Sequence, residues 1–449
     1  MRTALATTGI GIAAIFGTAM AAPPDISQRP ELRPIIATPV PGMRPAPPLG
    51  RSVRPVVREG ATPQTAVAQA GEPAAVDNPT FRQWLAGFQA RARAAGIRQA
   101  TLDRAFQGVR PNRSILDRDR NQSEFTRTLW DYLDSAVSDT RIRNGRTAMA
   151  RHGPTLRQIE QAYGVEARVV TAVWGLESAY GAVRGDTAII QAMATLAYDG
   201  RRRAFFEAQL LAALNILQAG DVQPARMRGS WAGAMGHTQF MPTSYLDHAV
   251  DLTGDGRRDI WSDNPADALA STANYLRHFG WTYGQPWGIE VVLPDGFDYS
   301  ESGARIKRPA RHWNNAGVRL TNGSHIPDHG PCSILLPAGA RGVALVIFDN
   351  FHVIARYNRA NAYVIAVGHL SDRIIGGPPF QASWPRGDRV LRFAERKELQ
   401  QRLTARGFST GGIDGIIGPD TIQAVRLYQA SIGETPDGYP SIQVLEQLR

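Results

Sequence analysis

A single glutamate, Glu177, stands in an apolar segment whose pattern could support acid–base chemistry. The segment reads VVTAVWGLESAYG over residues 169–181. On a helix, Val170, Val173 and Glu177 share one stripe, so the carboxyl group points along an apolar face toward the interior. Burial disfavours the charged form, and we therefore expect a raised pKa and a general acid that stays protonated near neutral pH. The alternative is a solvated or helix-capping glutamate.

A second segment, about fifty residues further on, combines small residues with polar side chains. It reads SWAGAMGHTQFMPTSY over residues 230–245. Its alanines and glycines let a ligand or a second backbone approach closely. Ser230 and Gln239 supply a hydroxyl and an amide, which suit the hydroxyl and acetamide groups of sugars. The alternative is a tightly packed loop that leads into a helix.

Residues 251–256, with the sequence DLTGDG, have the oxygen-rich opening of a calcium-binding loop. Asp251, Thr253 and Asp255 alternate as in such loops, and glycine stands at the sixth position, where they turn sharply. The closing glutamate at position twelve is missing, because Ser262 stands there. A structural calcium ion and a plain turn built on aspartate side chains both remain open.

The elements that must position these segments are mainly helices. Apolar residues at helical spacing begin near Phe81 and predict a compact domain over residues 79–376. The stripes are Phe81-Trp84-Leu85-Phe88, Phe125-Leu129-Tyr132-Leu133, Leu156-Ile159-Tyr163, Val165-Val169-Val173 and Phe206-Leu210-Leu214-Leu217. Strand propensity is confined to residues 289–292 and 343–347, which predicts at most a minor sheet.

A smaller unit follows a joint rich in glycine and proline at residues 374–379. Three helical stripes predict a three-helix bundle over residues 389–449 with a leucine-rich core. They are Leu399-Leu403, Thr421-Val425-Tyr428 and Val444-Leu445-Leu448. A unit of this size buries little apolar surface, so we expect modest stability.

The first 78 residues read as a leader and a tether. Residues 1–22 carry one arginine, an apolar stretch and small residues before a predicted cleavage site, which indicates a secretory signal, with an uncleaved anchor as the alternative. Residues 23–78 hold twelve of the 30 prolines and show no period, which is typical of an extended, disordered linker. No later apolar run is long enough to span a bilayer, which excludes a polytopic membrane protein.

The charge limits the classes of partner, and the cysteine content limits the kinds of cross-link and metal site. The 449 residues carry 50 basic and 40 acidic side chains, a formal net charge of +10. Such a surplus suits polyanions, among them nucleic acid, anionic lipid and an acidic wall polymer. The predicted export argues against nucleic acid. The single cysteine, Cys332, excludes an internal disulfide and a multi-cysteine zinc site.

Six short strings together resemble the B-type lytic murein transglycosylases. They are WGLES at 174–178, GAMG and QFMP within 233–242, ANYL and GW within 273–281, and RYNR at 356–359 with Tyr363, Ala366 and Val367. Their order and spacing match over roughly residues 80–375. Residues 414–429 resemble the peptidoglycan-binding module that is appended to many wall hydrolases.

The resemblance implies a lysozyme-like helical domain that cuts the β-1,4 bond between N-acetylmuramic acid (MurNAc) and N-acetylglucosamine (GlcNAc) without water and needs no cofactor. Glu177 matches the family's catalytic glutamate, which protonates the glycosidic oxygen and then takes the proton of the muramic C6 hydroxyl as a 1,6-anhydro ring closes. Ordinary glycosidases use two carboxyl groups, and one suffices when the substrate supplies its own nucleophile.

The resemblance also implies substrate-binding residues. By matching position they are Ser230, Gln239, Tyr275, Tyr357, Asn358, Tyr363 and Tyr132. Tyr132 matches only by its distance from Glu177, and each tyrosine has an alternative as a core aromatic. Some family members carry calcium at the loop that begins at Asp251, closed by a later acid for which Asp267 is the match, although two extra residues lie before it here.

Three functions therefore remain open: a lytic transglycosylase, a wall-binding scaffold that does not cut, and a lysozyme-like muramidase. The partners implied are peptidoglycan glycan strands and other wall enzymes, without nucleic acid and without a transmembrane segment in the mature chain. The location implied is the periplasm, in association with the wall.

Overall fold

The computed structural model describes residues 79–120 and 127–449. The predicted secretory signal and tether lie outside these described residues, as does Phe125 of one helical stripe.

Helices dominate the described part of the chain, which confirms the mainly α fold class. In chain order they are α1 (Pro79–Ala94), α2 (Gln99–Phe106), α3 (Arg113–Arg120), α4 (Leu129–Ala136), α5 (Asp139–Arg151), α6 (Gly153–Tyr163), α7 (Ala167–Ser178), α8 (Ile189–Asp199), α9 (Arg203–Ala219), α10 (Pro242–His248), α11 (Ala266–His278), α12 (Ala310–Asn315), α13 (Asp349–Tyr357), α14 (Asn361–Ile374), α15 (Phe393–Ala405), α16 (Pro419–Ser431) and α17 (Ile442–Leu448).

A minor sheet is present, as predicted, but it has more strands than expected. The strands are β1 (Thr187–Ala188), β2 (Arg228–Gly229), β3 (Gly288–Val292), β4 (Arg319–Leu320), β5 (Ser333–Leu335) and β6 (Ala344–Ile347). Four of them form an antiparallel sheet in the order β4-β3-β6-β5, and β1 pairs with β2. The sequence did not predict the other strands, because segments of two or three residues are too short to show an alternating pattern.

Helix α7 is the central helix of the larger domain. It packs against α5, α6, α11 and α14, and nine of its twelve residues are buried. The sequence predicted one apolar stripe that faces the interior. The helix is instead enclosed on most sides, because four neighbouring helices surround it. A polar side chain on this helix is therefore held in an apolar environment.

Two smaller hydrophobic cores are separate from the core around α7. One packs Trp313 and Phe348 against the four-stranded sheet. The other joins the three C-terminal helices through the predicted stripes, with Leu399, Val425 and Leu445 fully buried. The bundle contacts the sheet region through the Arg426 guanidinium, whose Nη2 donates to the Ser302 carbonyl oxygen at 3.0 Å. Among the described residues, no helix is both long and apolar enough to cross a membrane.

Candidate active site

Glu177 lies one residue before the end of α7, and only 9% of its surface is exposed. Val170 and Val173, on the same stripe, are fully buried. Oε1 of Glu177 accepts a hydrogen bond of 2.7 Å from the hydroxyl group of Tyr363 on α14. The predicted burial of this carboxyl group is thus confirmed, and a phenol holds one of its two oxygens.

The backbone turns sharply directly after this glutamate. Ala179 and Tyr180 have positive φ angles of 50° and 60°, and Gly181 follows at 86°. Gln239, in the second predicted segment, has a φ of 55°. Among the described residues these three non-glycine residues alone have a positive φ. Since such a conformation costs about 1 kcal/mol or more for an L-residue, backbone strain is concentrated at this site.

Ser178 and Trp174 tie the end of α7 to the loop of residues 230–240. Ser178 Oγ donates to the carbonyl oxygen of His237 at 2.5 Å and accepts from the N–H of Gly181 at 2.9 Å. The indole N–H of Trp174 donates to Nδ1 of His237 at 3.1 Å. Nε2 of His237 then donates to the carbonyl oxygen of Ser262 at 2.7 Å. Burial lowers the pKa of His237, so the ring is a neutral structural element.

Close approach of a second backbone explains the small residues of this loop. A Cβ atom on Gly236 would lie 2.3 Å from the carbonyl oxygen of Ile260. A Cβ atom on Gly181 would lie 2.5 Å from Nδ1 of His237. Of the two reasons that the sequence left open for these residues, a ligand or a second backbone, the second applies at Gly236.

Gln239 and Ser230 help to shape the loop itself. The amide Nε2 of Gln239 donates to the carbonyl oxygens of Arg184 and Gly236, at 3.0 and 2.8 Å. Both amide protons are thus used within the protein, which leaves the carbonyl oxygen Oε1 for a ligand. Oγ of Ser230 accepts from the N–H of Ala234 at 3.0 Å and closes a tight turn.

Tyr132 approaches Glu177 from α4. Its ring is half-buried, and its pKa is raised by burial and, to a smaller extent, by the charge of Glu177. The phenol is therefore neutral at any physiological pH. Tyr132 and Tyr363 thus place two phenol groups near one carboxyl group, from two different helices.

Tyr275 and Tyr357 lie in the core, which is the alternative position that the sequence left open for them, and their role as groove contacts stays a prediction. Both are buried, with their ring centroids 5.0 Å apart. Their hydroxyl groups donate to the carbonyl oxygens of Arg356 and Thr238, at 2.7 and 2.6 Å. The structure places both among the core aromatics behind the loop, because the buried carbonyl oxygens there need donors.

Asn358 and Arg184 both form hydrogen bonds with backbone groups. Asn358 follows α13, and its Oδ1 accepts from the N–H of Ala360 at 3.0 Å, directly before α14. Nη1 of Arg184 donates to the carbonyl oxygens of Trp261 and Ser262, both at 2.8 Å. Sequence reasoning missed Arg184, because it lies outside the recognised strings and no spacing points to it. Ser178 was missed as a positioning residue although it belongs to the WGLES string.

The aspartates of the predicted calcium loop are bound to the loop's own backbone. Asp267 is buried, and its Oδ1 accepts from the N–H groups of Leu252 and Thr253, at 3.0 and 3.1 Å. Its Oδ2 accepts from the N–H of Asp259 at 3.0 Å, and burial raises its pKa to about 6. Asp251 accepts from the N–H groups of residues 254 and 256.

This arrangement does not fit a ready-made metal site. No group of three or more acidic, histidine or cysteine side chains that could hold a metal ion occurs in the described part of the chain. Thr253 directs its hydroxyl to Asp251 Oδ1, and Asp255 Oδ1 accepts from the N–H of Arg257. The hydrogen bonds to the loop's own backbone are those of a plain turn, and a structural calcium ion stays the other interpretation of the loop.

Comparisons with known proteins agree with these features. The Transglycosylase SLT domain family matches residues 80–372, and the family described as "Putative peptidoglycan binding domain" matches residues 394–448. The Membrane-bound lytic murein transglycosylase B of Escherichia coli (strain K12) is 32% identical over 250 residues, which are 54% of this chain and 66% of that protein. The chain thus spans slightly less than two thirds of this relative.

Solved structures resemble the fold over most of the chain. SltB3 from Pseudomonas aeruginosa in complex with NAG-anhNAM-pentapeptide is 48% identical, with a TM-score of 0.80 over 83% of this chain and 100% of that chain. The Escherichia coli lytic transglycosylase SLT35 in complex with calcium is 28% identical, with a TM-score of 0.57 over 67% of this chain and 93% of that chain. These neighbours confirm the lysozyme-like fold class. The chain therefore belongs to the Transglycosylase SLT domain family.

Proposed function

We propose that this protein is a peptidoglycan lytic transglycosylase, which cleaves the MurNAc-β-1,4-GlcNAc bond without water and leaves 1,6-anhydro-MurNAc ends. The observation that supports this most strongly is Glu177, buried at the end of the central helix with Oε1 held by Tyr363. The bound fragment of the SltB3 complex, which carries an anhydro sugar by its name, is consistent with such a product in a relative.

The first step is proton donation by Glu177. Because Oε1 accepts from Tyr363, we assign the mobile proton to Oε2. This proton passes to the glycosidic oxygen as the bond from C1 of MurNAc to that oxygen breaks, and the bonding electron pair stays on the oxygen. The apolar surroundings keep Glu177 protonated until this moment. The N-acetyl carbonyl oxygen of the same sugar stabilises the positive charge at C1.

The second step uses the same carboxylate as a base. The C6 hydroxyl oxygen of MurNAc attacks C1, and its proton passes to Glu177 as the 1,6-anhydro ring closes. The glutamate returns to its starting state. The reaction therefore consumes no water and needs no second carboxylate. In the sequence, α7 and residues 230–240 contain no other acid that could take the second role.

The remaining site residues hold the sugar and the loop. Gln239 offers Oε1 to a sugar N–H or hydroxyl, and Ser230 contacts the sugar from the turn that it closes. Tyr132 donates from its neutral phenol beside Glu177, and Asn358 lies at the start of the segment that carries Tyr363. We assign Tyr357 the task of holding the loop backbone at Thr238 in position, and Tyr275 that of holding the end of α13 through the carbonyl oxygen of Arg356.

The other parts of the chain support a wall-associated enzyme. The C-terminal bundle, over residues 389–449, keeps the enzyme on peptidoglycan strands. The leader pattern of residues 1–22 supports export to the periplasm, and the domain boundaries near residues 79 and 376 agree with the extent of the family match. We assign no catalytic role to calcium, because the loop at Asp251 satisfies its carboxylates internally.

Product analysis tests this proposal. Purified sacculi are digested with the full chain, and the soluble fragments are analysed by mass spectrometry. We expect fragments with anhydro ends, which are lighter by one water than reducing ends. Fragments with reducing ends would instead identify a muramidase, and intact strands with retained binding would identify a scaffold.

A further inference from the structure

A cleft of about 740 Å³ opens beside α4 and α14, away from the contact between Glu177 and Tyr363. Its inner wall comes from α14 and from the junction of α4 with α5. Its outer wall is residues 379–386, which extend the glycine- and proline-rich joint toward the C-terminal bundle. This joint lies between the two matched family regions, which end at residue 372 and resume at residue 394.

The outer wall is fixed in place. The carboxylate of Glu290 accepts from the N–H groups of Gln381 and Ala382, at 2.8 and 2.7 Å. The guanidinium of Arg386 binds both oxygens of Asp134, at 2.7 and 3.0 Å. These contacts tie the joint to β3 and to α4, so the cleft is a built feature of the fold.

His369 on α14 lines this cleft. Only 9% of its surface is exposed, and its ring stacks on Phe380 with centroids 3.9 Å apart and planes 11° apart. Neither ring nitrogen has a hydrogen-bond partner within the part of the chain that the structure describes. Both ring nitrogens are therefore available to a molecule bound in the cleft. Burial, helped by Arg373, lowers the pKa of this histidine to about 4, so the ring offers one donor and one acceptor.

Two single charges flank this histidine. Arg373 lies one turn further along α14, and Asp139 begins α5 at the rim of the cleft. Among the described residues, neither side chain has an ion-pair partner, whereas Asp134 and Arg386 neutralise each other. The cleft therefore presents one cation, one anion and a neutral imidazole beside two aromatic rings, Phe380 and Trp384. A short peptide that carries both a carboxylate and an amino group matches this set.

The distance from the reacting bond also fits a peptide. His369 and Arg373 lie six and ten residues beyond Tyr363 on the same helix, which corresponds to about 9 and 15 Å along its axis. An extended peptide covers about 3.5 Å per residue, so five residues span roughly 17 Å. A peptide attached to a sugar next to Glu177 can thus reach the cleft.

We propose that this cleft binds the peptide stem of the MurNAc residue next to the cleaved bond. A carboxylate of the stem binds Arg373 and the imidazole N–H of His369, and an amino group of the stem faces Asp139. The aliphatic parts of the stem lie against Phe380 and Trp384. The inference rests on the proposed function, since the peptide stem is part of the same substrate and lies beyond the residues assigned to the sugar.

Binding measurements on an inactive full-length chain test the proposal. In a Glu177→Gln background, calorimetry compares a GlcNAc-MurNAc-pentapeptide fragment with glycan strands from which an amidase has removed the peptides. We expect Arg373→Gln to weaken binding of the pentapeptide fragment about tenfold and to leave binding of the bare strands unchanged. Arg311→Gln, at an exposed arginine on α12, is the matched control and should change neither affinity.

The outcomes separate the alternatives. Unchanged affinity of the Arg373 variant for the pentapeptide fragment would overturn the proposal, and an equal loss for both probes would identify a sugar subsite instead. If Arg373→Gln fails to give the circular dichroism spectrum of the parent, His369→Asn is measured in its place with the same two probes. Selective loss of peptide binding together with an absence of anhydro products from the wild-type chain would leave the cleft assignment standing while the proposed function fails.

Discussion

The hydroxyl group of Tyr363 donates a hydrogen bond of 2.7 Å to Oε1 of Glu177, across 186 residues of sequence. The contact joins α14 to α7, two helices that pack directly against each other. In general, burial favours the protonated form of a carboxyl group, whereas a hydrogen-bond donor to the carboxylate favours the charged form. The balance of these two effects sets the pH range in which Glu177 holds a proton.

Replacing Glu177 by glutamine removes the mobile proton and keeps the shape of the side chain. We expect Glu177→Gln to abolish release of fragments from sacculi while cosedimentation with sacculi is retained. The matched control is Glu207→Gln, the same chemical change at an ion pair with Arg91 that joins α9 to α1. Substantial activity in the Glu177 variant would rule out the assigned role.

Removing the Tyr363 hydroxyl changes the pH dependence of cleavage. The hydrogen bond favours the carboxylate, so its loss in Tyr363→Phe raises the pKa of Glu177. Because the reaction begins with a protonated Glu177, the high-pH limb of kcat/KM moves to higher pH. A hydrogen bond to a charged group contributes about 1.5–3 kcal/mol, so we also expect a roughly tenfold to hundredfold lower kcat. An unshifted limb would contradict this coupling.

A comparison of two glycines isolates the contact between α7 and the loop of residues 230–240. Gly181 and Gly220 have the same φ of 86°, but a Cβ atom would meet His237 at Gly181 and nothing within 4 Å at Gly220. We expect Gly220→Ala to cost about 1 kcal/mol of unfolding free energy, and Gly181→Ala to cost about 2 kcal/mol more with loss of cleavage. Urea unfolding measures both, and equal costs would show that the His237 contact is unimportant.

The stability of the fold should fall in mild acid because of His369. Its pKa is about 4 in the folded protein, against an ordinary value of 6.5 for histidine. Its stabilising contribution is therefore complete above pH 6.5 and is lost as the pH falls from 6.5 toward 4. For one proton this amounts to about 3 kcal/mol. Urea unfolding between pH 7 and pH 4 should show that the free energy of unfolding falls less steeply in His369→Gln than in the wild type. Parallel curves for the two proteins would refute the contribution of His369 to this pH dependence.

The loop at Asp251 should keep its structure without a metal ion. Three backbone N–H groups already bind the carboxylate of Asp267. We expect a chelator to leave Tm unchanged, and Asp267→Ala to lower the free energy of unfolding by about 2–3 kcal/mol, because buried donors lose their acceptor. A fall of several degrees on chelation, reversed by calcium, would instead establish an ion in this loop.

Much of the architecture could be predicted because it depends on local patterns. The helical spacing of Phe206, Leu210 and Leu214 is a property of neighbouring residues, and so is the stripe of Leu399 and Leu403 in the bundle. The strings around Glu177 and Gln239 pointed to the two segments that meet at the site. The strands β4 and β5 could not be predicted, since such short segments become strands only when β3 and β6 offer them partners.

The sequence by itself determined which residues are helical, that the carboxyl group of Glu177 is buried, and that a small bundle follows the larger domain. The tertiary structure decided which buried groups meet: Tyr363 with Glu177, Tyr357 with the Thr238 carbonyl oxygen, and the joint with Glu290. The physical reason is that periodicity reports which face of an element avoids water. The hydrogen-bond partner of a buried polar group is set only when elements distant in sequence pack together.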